Sequence, residues 1–71
     1  MYAVLRYIHV AYEGYDDIQV KFVGDNKDVC RKFIRDNYDF SYSSDNDMLF
    51  SRNFDRDGYD TEIFEIVEVG A

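Results

Sequence analysis

Apolar side chains recur at every second position through residues 2–11. Tyr2, Val4, Ile8 and Val10 share one face, and Ala3, Leu5, Tyr7 and His9 the other. A strand rich in Val, Ile and Tyr with two fairly apolar faces belongs in the middle of a sheet. Glu13-Gly14-Tyr15-Asp16 supplies turn chemistry, and Ile18-Gln19-Val20-Lys21-Phe22 alternates apolar with polar positions. That alternation predicts a second, half-buried strand and a first hairpin.

At Gly24-Asp25-Asn26 the period lengthens. Asp25 is placed to cap the free N–H groups of a following helix, and Asp28 adds negative charge to its first turn. Val29, Cys30, Phe33 and Ile34 then form one apolar stripe, which predicts a helix over residues 26–37. Lys27, Arg31 and Arg35 follow at i+4 steps with Lys32 beside them, so half of the 8 Lys and Arg lie on this helix. Interleaved acids, with Asp28 and Lys32 an i,i+4 pair, make this a solvated face rather than a nucleic-acid site.

Residues 38–47 hold no Lys or Arg and no clear period, which predicts a loop of about ten residues carrying rings and acids. A third strand is expected over 48–54, with Met48, Phe50 and Phe54 on one face. Asp55-Arg56-Asp57-Gly58 is expected to turn the chain, and a fourth strand is expected over 61–69 with Phe64 and Ile66 opposing Ile63, Val67 and Val69. Glu13-Gly14-Tyr15-Asp16 and Asp57-Gly58-Tyr59-Asp60 echo one another, as Gly- and Asp-rich turns commonly do.

The expected fold class is α+β in β-β-α-β-β order: a four-stranded antiparallel sheet with one helix packed on one face, because the helical stripe needs an apolar sheet face to cover. The other face stays partly open, with Tyr7, His9 and several Glu of the last strand as its candidates. The pattern leaves open which strand parity the helix covers. At 71 residues the chain makes one domain, 1–71, since chains of this size bury only about 60% of the unfolded surface and cannot support two cores.

Charge narrows the function. Fifteen carboxylates against eight Lys and Arg give a formal net charge of −7, which repels nucleic acid and anionic membrane and favours basic protein partners. The single cysteine, Cys30, excludes an internal disulfide framework. Met1 leads directly into Tyr2-Ala3-Val4 without the features of an export signal, and no apolar run approaches the roughly 20 residues of a membrane span. The expectation is a cytoplasmic protein.

Catalytic constellations are wanting. The sole histidine, His9, lies in a strand pattern, and Cys30 lies on the apolar stripe of the helix; one Cys and one His are too few for a structural zinc site. The four glycines are scattered, so no phosphate-binding loop is formed. Neither an enzymatic activity nor a cofactor is expected. Asn53-Phe54-Asp55-Arg56-Asp57-Gly58 opens like a calcium loop, but the twelfth position, where a bidentate Glu belongs, is Phe64. Glu62 or Glu65 would have to substitute, and a hairpin turn accounts for the same residues without an ion.

Ten of the fifteen carboxylates fall from Asp36 onward, opposed there by Arg52 and Arg56 alone, and Tyr38, Phe40, Tyr42 and Tyr59 stand among them. Tyrosine gives contact area at low entropic cost, and carboxylates are steered toward Lys- and Arg-lined clefts. The expected activity is inhibition by occupying a partner's basic nucleic-acid-binding surface, with Asp39, Tyr42, Asp45, Asp47, Asp57, Tyr59 and Asp60 as the contact residues.

In general character the chain resembles small phage-encoded inhibitors, including anti-CRISPR and DNA-mimic proteins, which are short, acidic and free of cofactors and disulfides. The resemblance covers composition and implies a protein target. The alternatives are an assembly module that homodimerises through its sheet and, behind it, a calcium-binding module.

Overall fold

The computed structural model describes residues 1–10, 14–15, 18–53 and 60–70, with Tyr15 described in its backbone alone. Along the chain run β1 (Tyr2–Val10), β2 (Gly14–Tyr15), β3 (Gln19–Gly24), α1 (Lys27–Asn37), β4 (Tyr42–Ser43), β5 (Leu49–Asn53) and β6 (Thr61–Glu68). The fold is α+β, with an antiparallel sheet and one helix. Strand β1 is central, as its two apolar faces require: β6 pairs along one side, while β3 and the short β2 share the other. Beyond β6 lie β5 and then β4, so six segments fill five strand positions where four strands were expected.

The two additional segments are two residues each. Strand β4 falls inside the expected 38–47 loop and pairs Tyr42 with Ser51 and Ser43 with Phe50. The Ser41 N–H donates to the Ser51 carbonyl at 2.9 Å, and the Ser44 N–H to the Leu49 carbonyl at 2.8 Å. Its turn is closed by the Asp47 N–H on the Ser44 carbonyl, 2.9 Å, with Asp47 at φ 54°. The Ser44 hydroxyl oxygen accepts from the N–H groups of Met48 and Leu49. Both β4 residues are exposed, and two residues are too few for alternation to mark a strand in sequence.

Cross-strand partners share a sheet face, which assigns the parities. Val4 faces Ile66 and Phe22, and Phe50 faces Phe64; these residues form the helix side. There Val4, Phe50, Phe64 and Ile66 close over Cys30 and Ile34 of α1, each at most 3% exposed. A ring series extends the core: Phe22 stacks on Phe33 at 4.6 Å, Phe33 meets Tyr38 edge-on, and Tyr38 stacks on Phe64 at 4.3 Å.

The clean alternation expected for residues 18–22 is broken. The β1–β3 register shifts between Val4 and Leu5, so Val4 faces Phe22 but Leu5 faces Val20. One extra residue on β3 flips parity: Phe22 turns to the helix, while Val20 turns to the opposite face and is 62% exposed. Ile18, at 62%, is exposed as well.

The helix begins at Lys27, and its cap is Asn26 rather than Asp25. The Asn26 Oδ1 accepts from the Val29 N–H at 3.0 Å, the N-cap to N3 bond that a residue one position earlier cannot make. At the far end the Tyr38 N–H donates to the Ile34 carbonyl at 2.9 Å. Val29 is the stripe residue left 38% exposed. Gly24 brings β3 against α1 so closely that a Cβ there would collide with Val29 Cγ2 and lie 2.9 Å from Phe22 Cε2.

Candidate docking surface

The basic helix face is built into the molecule's own acids. Arg31 Nη1 donates to Asp28 Oδ1 at 2.9 Å, and Lys32 Nζ to Asp36 Oδ2 at 2.7 Å. The expected Asp28–Lys32 pair is therefore replaced by an i,i+3 and an i,i+4 pair, Asp28 going to the arginine one residue nearer. Arg35 reaches across to Asp47, 3.4 Å, in the β4–β5 turn. Lys27 lies over the Tyr2 ring at 5.7 Å. Lys32 titrates above its usual range because Asp36 accepts its hydrogen bond and adds charge attraction.

Glu62 is buried, 2% exposed, although the Glu residues of the last strand are candidates for the partly open face. It lies directly across from Arg52 on β5 and from Ile8 on β1. Arg6 donates to Oε2 and Arg52 to Oε1, so each carboxylate oxygen is held by one guanidinium. A calcium role for Glu62 would require both arginines to leave. Phe64, the twelfth position of the calcium-like run, is fully buried in the core. Residues 54–58 of that run lie outside the described residues. Among the described residues no cluster of three or more His, Cys, Asp or Glu gathers as a metal site.

The expected contact residues separate. Asp39 and Asp45 are exposed on the segment that joins α1 to β5, and Tyr42 is 56% exposed on β4. Asp47 is half-buried in its pair with Arg35, and Asp60 is half-buried just before β6. Asp57 and Tyr59 lie outside the described residues. Two of the rings expected on the acidic surface turn inward instead: Tyr38 onto Phe64, and Phe40 edge-on to Phe50 at 4.8 Å. Both are half-buried because the 38–40 segment closes the core where α1 ends.

Among the described residues no element covers the sheet face opposite α1. Tyr42, Ser51, Ile63 and Tyr7 fall in one cross-strand row on it, with Leu5, Val20, Glu65 and Leu49 in the next. Tyr7 and His9 lie on this face as expected. Of the last strand's acids, Glu65 does too, whereas Glu62 and Glu68 have the helix-side parity. Among the described residues Ala3, at 4%, is the one buried side chain of this face. The sequence alternation identified both faces of β1 but not the bulge that adds Val20 to the open one.

Cys30 is fully buried, its Sγ 3.7 Å from the Tyr2 carbonyl. Burial pushes the thiol above its usual range, opposed to a lesser extent by the Gly24 backbone hydrogen bond and the amino-terminal charge. Among the described residues no helix is long and apolar enough to cross a membrane. Compared with known proteins, the chain matches no family model, no curated protein and no solved structure, so its function has to be argued from its own residues.

Proposed function

We propose that this chain is a small acidic, cytoplasmic protein-binding inhibitor, of the anti-CRISPR or DNA-mimic kind, that occupies a basic nucleic-acid-binding surface on a partner protein. The observation that carries this reading is where the cations go. Arg6, Arg31, Lys32, Arg35 and Arg52 are all taken into pairs with the chain's own carboxylates. Among the described residues four carboxylates, Asp25, Asp39, Asp45 and Glu68, are exposed and outside any such pair, against two exposed cations outside one, Lys21 and Lys27, so the unpaired exposed charge is mainly negative. Such a field accelerates encounter with a Lys- and Arg-lined surface, and exposed Tyr42 adds ring contact beside Asp39 and Asp45. Asp47, Asp57, Tyr59 and Asp60 complete the proposed contact set.

The test is capture of a partner from host lysate at low salt, followed by challenge. Release of the captured protein by moderate salt and by a competing DNA duplex supports the proposal. Capture that withstands both, or that is unchanged by Asp39→Asn with Asp45→Asn, overturns it. A second reading, assembly into a homodimer through the sheet, is favoured by exposed Ile18 (62%), Val20 (62%) and Val23 (50%) at the β3 edge. Sedimentation that shows the whole population self-associating would select that reading.

A further inference from the structure

The sheet face opposite α1 carries a shallow concavity of about 250 Å³ whose described lining residues are Leu5, Tyr7, Ile18 and Glu65. Leu5 and Glu65 are direct cross-strand partners on β1 and β6. Tyr7 stands two residues along β1, and its hydroxyl donates back to Glu65 Oε1 at 2.7 Å. Of the described lining residues three are aliphatic or aromatic, and the fourth is an oriented, half-buried carboxylate. Among the described residues no cation of the chain pairs with Glu65, although its acidic neighbour Glu62 has two.

We propose that this concavity is an anchor site for a single arginine side chain projecting from the partner protein. The inference rests on the protein-binding reading above and names the group that the partner brings. Four properties of the site select that occupant. The volume is below the roughly 300–1,000 Å³ of cofactor and drug-sized ligand sites, which suits one side chain. A carboxylate offers about four acceptor positions, of which the Tyr7 hydroxyl takes one, leaving room for a guanidinium. An arginine stem covers Leu5 and Ile18 while its planar head meets the Glu65 carboxylate as a bidentate fork. Charge complementarity gives the same answer, since the one formal charge among the described lining residues is negative in a chain of net −7.

A second copy of the chain fits poorly. It carries the same −7, and all its described arginines are held in ion pairs of their own. A partner arginine seated here would also bring a surface against exposed Ile18 and Val20, and Tyr42 lies farther along the same face.

The test titrates the isotopically labelled full chain with the blocked tripeptide acetyl-Val-Arg-Val-amide, following backbone amide shifts. The expected result is saturable change centred on Leu5, Tyr7, Ile18 and Glu65, weakened about tenfold or more when citrulline replaces arginine and likewise in Glu65→Gln. Glutamine still accepts from Tyr7, so the variant keeps its fold, which unchanged shifts across α1 would verify. Equal response to the citrulline peptide, no saturable response at these four amides, or indifference to Glu65→Gln overturns the proposal. Shifts at the same amides that depend on protein concentration without peptide assign the site to a second copy and overturn it as well. If lysate capture stays salt-sensitive and Glu65→Gln captures as well as the native chain, the anchor site is wrong and the inhibitor reading survives; loss of salt and DNA sensitivity removes that reading itself.

Discussion

The Nε of Arg31 on α1 donates to the main-chain carbonyl of Asp47 at 3.2 Å, across 16 residues of sequence. The same guanidinium reaches the Asn46 carbonyl at 3.0 Å through Nη2, and Asp28 through Nη1. Its planar fork thus ties the helix to the β4–β5 turn, a task that one lysine ammonium cannot perform in several directions at once. Arg31→Ala is expected to cost about 1–2 kcal/mol, since the freed turn carbonyls regain water. Arg31→Lys should recover less than half of that. Urea denaturation of both variants checks the magnitude, and faster amide exchange confined to residues 44–48 would locate the effect.

Glu62 between Arg6 and Arg52 predicts a larger loss. Breaking a fully buried ion pair costs about 3–5 kcal/mol by leaving charge unmatched, but these arginines remain partly exposed and recover some hydration. Glu62→Gln should therefore destabilise by roughly 2–3 kcal/mol, by the same reasoning with that discount. Chemical denaturation is the measurement; a change within about 0.5 kcal/mol, the range of ordinary surface substitutions, would show that the triad is not a stabilising feature.

Gly24 is a position of close approach, because an added Cβ meets Val29 and Phe22 side chains. Gly24→Ala is expected to destabilise by about 1–3 kcal/mol, the range for overpacking. Combining it with Val29→Ala, which removes the nearest atoms, should restore part of the loss. A double-mutant cycle in urea reads that coupling.

Cys30 should be inert to thiol reagents in the native state and reactive on unfolding, because it is fully buried and its ionisation is opposed by burial. The pH dependence follows in sign. Its folded pKa is raised, so between the unfolded and folded values the native chain holds more protons than the unfolded one, and stability falls as pH rises. This contribution is fully present below the ordinary thiol range. Cys30→Ala should flatten the alkaline part of the stability profile while lowering stability overall through the lost core volume. Denaturation at successive pH values, with alkylation rates alongside, tests both effects.

Much of the architecture is written in periodicities. The two apolar faces of residues 2–10 place β1 centrally, and the Val29, Cys30, Phe33, Ile34 stripe places α1 and both of its buried residues, Cys30 and Ile34. The acidic character of the surface is legible too, because it is a matter of counting. The exposure of the side chains expected at the surface was only partly legible. Tyr38 and Phe40 have the same local surroundings as Tyr42, yet they close the end of the core while Tyr42 stays outside.

Local chemistry alone therefore settled the helix, the four longer strands with their order, and the net charge, but not the two-residue β2 and β4, whose strand character comes from pairing with β1 and β5. Folding in three dimensions settled which charges face outward and which hold the molecule together. Pairing Arg52 with Glu62 requires the β5–β6 register, and setting Leu5 beside Val20 requires a one-residue bulge. Seating Glu65 with Tyr7 requires β1 and β6, distant in sequence, to become neighbours. Long-range register decides these partners, and register is fixed by the burial of whole faces rather than by any short run of residues.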